Sequence, residues 1–261
     1  MVCVYDSGVG GLTVLRALRR IAPMADVVYL GDTARVPYGS RSAAAVTAYT
    51  REALSYLGAR RPSLALAACG TVSAVALPRL GGFPFPVVGV AEAGVSAALA
   101  AAPRGRVAVL GTEATVGSRY FETRLSAHPG VKVKSIACPL LVALAECGMT
   151  APTDPIPALV CERLLAPLTA FRPDAIILGC THFPWLAPHI ARLFPAATLI
   201  DCGEAAVLAC RDRLAAEVGR GHTEYLVTDT PAGFARTARR LTGKPLDGPC
   251  RRVTLPPVAD E

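Results

Sequence analysis

Two cysteines stand in matched settings. Cys69 opens Cys69-Gly70-Thr71 and Cys180 opens Cys180-Thr181-His182, and each closes an apolar run that begins with Arg-Pro. The runs Arg61 to Cys69 and Arg172 to Cys180 have the same length and lie 111 residues apart. A thiol titrates near about 8.5, so a modest shift makes it both a usable acid and a usable base at neutral pH. Two such thiols on opposite faces of one carbon would invert its configuration: a thiolate removes a proton from one side and a thiol returns one from the other. Taken singly, each cysteine would read as a buried strand-end residue. The duplication favours the chemical reading.

The same offset relates Pro86 to Glu92 with Ala197 to Gly203, so the chain is internally duplicated. A period this long means two similar domains and not a solenoid. Short β-rich runs alternate with longer helical patterns: strands at Val2 to Tyr5, Val27 to Leu30, Leu64 to Ala68 and Val87 to Val90, with helices after each. The pattern restarts with strands at Val107 to Leu110, Val131 to Ser135, Ala175 to Leu178 and Leu199 to Ile200. Such alternation predicts an α/β fold of two similar doubly wound parallel-sheet domains facing each other across a central cleft about a pseudo-twofold axis. The expected boundaries are 1–95 plus 209–261 for the Cys69 side and 96–208 for the Cys180 side. The later elements, a helix over 204–217, a strand at 225–227 and a helix over 232–241, return to the first domain. The tail beyond Pro245 reads as irregular.

In open parallel sheets ligands bind beyond the carboxyl ends of the strands, where both cysteines fall. The first strand ends in Asp6-Ser7-Gly8-Val9-Gly10-Gly11, which suits an anion at a helix N-terminus. A dinucleotide fingerprint needs glycine where Thr13 stands, so a small carboxylate fits better. Asp6 either holds a substrate ammonium, assists a cysteine or caps the helix. His182, beside Cys180, reads as part of the site, whereas His128, His189 and His222 read as surface residues.

Composition narrows the classes. Of 261 residues 52% are hydrophobic and 18% charged, which requires substantial cores. No apolar run reaches the roughly 18 residues of a membrane span, and the N-terminus lacks a signal-peptide pattern. The expected location is the cytoplasm, where the nine cysteines stay reduced. The net charge of +7 is scattered arginine, and with 6% aromatic residues there is no nucleic-acid footprint. No CxxC occurs, and Cys69, Cys180 and His182 lack local metal-ligand spacing, so no metal is expected.

Several blocks in order resemble the glutamate racemase family over nearly the whole chain: Asp6 to Leu12, Gly31-Asp32-Thr33-Ala34-Arg35-Val36-Pro37-Tyr38-Gly39, Gly111-Thr112-Glu113-Ala114-Thr115, Ala137 to Leu140, Gly179 to His182, and Val227-Thr228-Asp229. The resemblance implies a cofactor-independent two-base racemase that interconverts L- and D-glutamate and supplies D-glutamate for peptidoglycan. It implies Cys69 and Cys180 as the proton pair with Asp6 and His182 beside them. Substrate would be bound by Asp6, Ser7, Tyr38, Gly39, Gly70, Thr71, Thr115, Glu146, Thr181 and His182. It allows a homodimer without singling out a surface. One residue departs from the family pattern: Gly70 stands where the family usually has asparagine. A lost amide hydrogen bond to a charged substrate would cost about 1.5–3 kcal/mol, so Gly70 is expected to bear on substrate preference. The competing readings are a racemase for aspartate or a related acid, and a catalytically silent ligand-binding or regulatory homologue.

Overall fold

The computed structural model describes residues 1–257. Residues 258–261, the end of the tail expected beyond Pro245 and of the 209–261 segment, lie outside the described residues. Along the chain run β1 (Val2–Asp6), α1 (Leu12–Ile21), β2 (Val27–Gly31), α2 (Ala43–Gly58), β3 (Leu64–Ala67), β4 (Val87–Gly89) and α3 (Val90–Ala101). Then come β5 (Arg106–Gly111), α4 (Glu113–Gly117), α5 (Tyr120–Ser126), β6 (Lys132–Ala137), α6 (Pro139–Glu146), α7 (Pro155–Leu165), β7 (Ala175–Leu178), α8 (Ala187–Leu193) and β8 (Thr198–Asp201). The chain closes with α9 (Cys202–Ala209), α10 (Arg211–Ala215), β9 (Thr223–Val227), α11 (Pro231–Thr242) and β10 (Cys250–Arg252).

The strands form two parallel sheets, ordered β10-β9-β2-β1-β3-β4 and β6-β5-β7-β8. The second order repeats the β2-β1-β3-β4 part of the first, so the duplication seen in the Arg-Pro runs extends to topology. Arg61 and Arg172, which open those runs, both adopt left-handed backbone, with φ of 48° and 49°. A non-glycine residue pays roughly 1–2 kcal/mol there, and both copies keep it.

Strand residues alternate between two buried faces, as parallel sheets covered on both sides require. Val2, Val4, Leu64 and Leu66 face the same central core as Val107, Val109, Ala175 and Ile177 from the other sheet. That core is filled by α1, α3 and α9, which pack on one another between the sheets. Cys3, Tyr5, Ala65 and Ala67 turn outward to α2, and Ala108, Leu110, Ile176 and Leu178 turn outward to α6, α7 and α8. Positions 95 and 208 lie inside α3 and α9. No helix among the described residues is long and apolar enough to cross a membrane.

Four local expectations change. The helix expected over 204–217 starts at Cys202, because Asp201 caps it by accepting from the amides of Gly203 (2.8 Å) and Glu204 (3.1 Å), and it breaks at Cys210, whose ψ of 7° leaves the helical range. The tail carries a strand, β10, which closes the free edge of β9 by pairing Cys250 with Tyr225. Helix α6 was not anticipated, although Pro139 at its first turn is a start signal. His189, expected at the surface, is buried, with Nε2 3.0 Å from the Ala151 carbonyl oxygen.

Candidate active site

Strands β3 and β7 each deliver a thiol at the carboxyl end of a sheet. Cys69 and Cys180 line one cavity of about 280 Å³, together with Ser7, Tyr38, Gly39, Thr71, Glu146, Thr181 and His182. Each thiol is less than a tenth exposed. Three expected residues stand elsewhere. Asp6 is fully buried behind the wall: its Oδ2 accepts from the Gly8 amide at 2.8 Å and its Oδ1 from the Thr181 hydroxyl at 3.3 Å. This carboxylate holds the turn after β1 and orients Thr181; helix α1 itself carries no side-chain cap. Thr115 lies behind Thr112, and it is Thr112 that lines the cavity. The hydroxyls of Thr71, Thr112 and Thr115 form a triangle of 2.9, 2.9 and 3.3 Å that ties the two halves together. Gly70 does not line the cavity, because its backbone packs on that of Gly179.

Sequence reasoning also passed over Thr112, Ser40, Glu113, Pro139, Val142 and Ala143, all of which line the cavity. Thr112 carried a usable signal, since it caps α4 by accepting from the Thr115 amide. The apolar contributors come from α6, which had to be recognised first.

The two thiols sit in different fields. The Cys69 thiol is pushed up to about 12, first by burial and then by the Asp6 charge; the Val72 amide and the Ser7 hydroxyl, 3.5 Å from Sγ, pull the other way. At neutral pH it is held as the thiol, ready to donate. On the other side Cys180 Sγ lies 3.7 Å from His182 Nδ1, while His182 Nε2 lies 3.0 Å from Glu146 Oε1. Burial works against a charged imidazole, but Cys180 and Glu146 outweigh it and raise His182 to about 10. The imidazole therefore keeps a proton 3.7 Å from the Cys180 sulfur at neutral pH. Asp6 is itself raised by burial, with His182 the largest opposing influence. The cavity thus presents a protonated thiol on one wall and, on the other, a second thiol beside a protonated imidazole.

The loop that roofs the cavity is anchored from below. Asp32, fully buried after β2, accepts from the Tyr38 hydroxyl, from Arg35 Nε at 2.6 Å and from the Thr228 hydroxyl at 2.8 Å. Thr228 also accepts from the Ala34 amide at 2.9 Å, so the Gly31–Gly39 and Val227–Asp229 blocks are one network. Tyr38→Phe removes a donor from a buried carboxylate, which costs about 1–3 kcal/mol. Urea unfolding should register that loss; a change below about 0.5 kcal/mol, typical of surface substitutions, would mean that the hydroxyl does not hold the loop.

Among the described residues no three His, Cys, Asp or Glu side chains converge as a metal site would require. The profile of the Asp/Glu/Hydantoin racemase family matches residues 12–210, more than half of the chain. Glutamate racemase from Aquifex aeolicus is 40% identical over 245 residues, 94% of each chain. The crystal structure of glutamate racemase from Thermus thermophilus in complex with β-chloro-D-alanine superposes with a TM-score of 0.84 at 38% identity, covering 97% of this chain and 96% of that one. That of glutamate racemase from Francisella tularensis, in complex with D-glutamate, superposes with a TM-score of 0.86 at 29% identity, covering 97% of both.

Proposed function

This chain belongs to the Asp/Glu/Hydantoin racemase family, and we propose that it is a cofactor-independent glutamate racemase in which Cys69 and Cys180 exchange the Cα proton of glutamate. Similarity to glutamate racemases along almost the full length of both chains supports the activity and the substrate. The observation that carries the mechanism is the meeting of two duplicated thiols on one cavity.

One thiol must be deprotonated when the other is protonated, and the two have different neighbours: Ser7 and the Asp6 charge at Cys69, His182 at Cys180. In one direction the Cys180 thiolate, beside the His182 imidazolium, removes the α-proton while the Cys69 thiol supplies one to the opposite face. In the reverse direction the roles exchange: the Cys69 thiolate left by donation takes the α-proton and the Cys180 thiol returns one to the opposite face. Thr112, Thr71, Thr181, Ser7 and backbone amides hold the carboxylates; no lysine or arginine lines the cavity among the described residues. Asp6 acts through Thr181 and through its charge. In the same reading the product serves peptidoglycan synthesis, the protein works in the cytoplasm with its nine cysteines free, and two copies associate. The division into 1–95 plus 209–261 and 96–208 is supported by sheet membership.

Circular dichroism of L-glutamate incubated with the protein, without added cofactor, tests the activity. The glutamate signal is expected to decay to zero while that of L-aspartate persists. Decay with aspartate alone would transfer the substrate assignment, and decay with neither would overturn catalysis.

A further inference from the structure

Gly70 separates Cys69 from Thr71, two residues that reach the cavity, yet it does not reach the cavity itself. A Cβ added there would overlap the carbonyl oxygen of Gly179 and stand 2.9 Å from its carbonyl carbon, with the Cys180 Cα at 3.5 Å. All three are backbone atoms, which cannot rotate aside as a side chain can. Gly179 is itself pinned, since its amide donates to the Leu110 carbonyl oxygen at 2.8 Å. The void left beside this contact, bounded by Val90, Asp201 and Cys202 among others, is about 10 Å³ and gives no room for retreat. A second close approach lies on the roof side, where a Cβ on Gly39 would stand 2.6 Å from the Cβ of the Thr112 side chain.

We propose that Gly70, seconded by Gly39, is a positioning residue for racemisation in this chain: without a side chain it seats the Cys69 turn directly on the Cys180 turn and so sets the spacing of the two sulfurs. It is not a position that recognises substrate. This rests on the two-thiol racemase reading. Both sulfurs must come within reach of one carbon, and a misplacement of about 1 Å can cost about 10²-fold in rate.

The test compares Gly70→Ala, Gly70→Asn and Gly39→Ala with Gly82→Ala, a site whose added Cβ meets nothing within 4 Å. Wild-type protein is first shown to racemise glutamate, which separates failure of the underlying reading from failure of this one. In both directions Gly70→Ala is expected to lower kcat at least about tenfold, to leave KM nearly unchanged and to enlarge the isotope effect of α-deuterated glutamate, because proton transfer becomes slower relative to binding and release. Gly70→Asn should lose kcat likewise without gaining affinity, and Gly82→Ala should behave as wild type. If the variants at 70 do not fold, Gly39→Ala, whose clash is with the Thr112 side chain and not with a peptide group, must show the same loss of kcat. A fall in KM with retained kcat in Gly70→Asn would make the position a recognition site and overturn the proposal. Unchanged kcat in Gly70→Ala, or in Gly39→Ala where that variant decides, would do the same.

Discussion

Replacing Cys69 or Cys180 by serine is expected to abolish racemisation in both directions while leaving the fold in place. Serine is nearly isosteric, but its hydroxyl is a far weaker acid than a thiol and is not deprotonated by anything lining the cavity. Loss of one general acid or base typically costs about 10²–10⁴-fold. Inversion needs both groups in every turnover, so neither direction escapes. A finer result follows from the two-sided geometry. In Cys69→Ser the Cys180 thiolate still faces one side of Cα, so it can remove a proton and return a solvent-derived one to the same face. In deuterated water that variant should wash deuterium into one enantiomer without inverting it, and Cys180→Ser should do so, if at all, with the opposite enantiomer. Mass spectrometry combined with chiral chromatography reads both outcomes. Near-normal inversion by either variant would sink the two-base mechanism.

The second large effect belongs to His182. His182→Asn removes the cation beside Cys180, and turnover at neutral pH should fall by about 10²-fold, with the larger loss in the direction that uses Cys180 as base. Equal losses below about threefold would assign His182 a packing role. The same residue has a signature in stability. Burial opposes its protonation, but Cys180 and Glu146 raise it from 6.5 to about 10 in the folded protein. Between those values the folded chain holds a proton at His182 that the unfolded chain has released, so its contribution falls as pH rises. That contribution is fully present below 6.5 and lost as pH passes through about 10. The difference in unfolding free energy between wild type and His182→Asn should therefore shrink from pH 7 to pH 10. A difference that grows over this range would contradict the ion pairs drawn around the imidazole.

The strands were legible because their residues are apolar on both faces and bounded by proline or glycine: β3 and β7 could be located from Arg61-Pro62 and Arg172-Pro173 alone. Helix ends were less so. The start of α9 turns on the Asp201 side chain accepting two amides, and β10 exists because β9 leaves an edge to be paired. Neither condition is visible without the neighbouring chain.

From the sequence by itself came the duplication, the parallel α/β class and the two thiols, since these depend on local residue types and on a spacing repeated within the chain. The tertiary structure decided which residues meet. It moved Asp6 behind Thr181, brought Thr112 to the cavity in place of Thr115, and turned Gly70 from a vacant recognition position into a contact between backbones. The physical reason is that a site between two sheets is set by how closely their loops approach, and that distance is fixed by the helices packed between the sheets, far from the site in sequence.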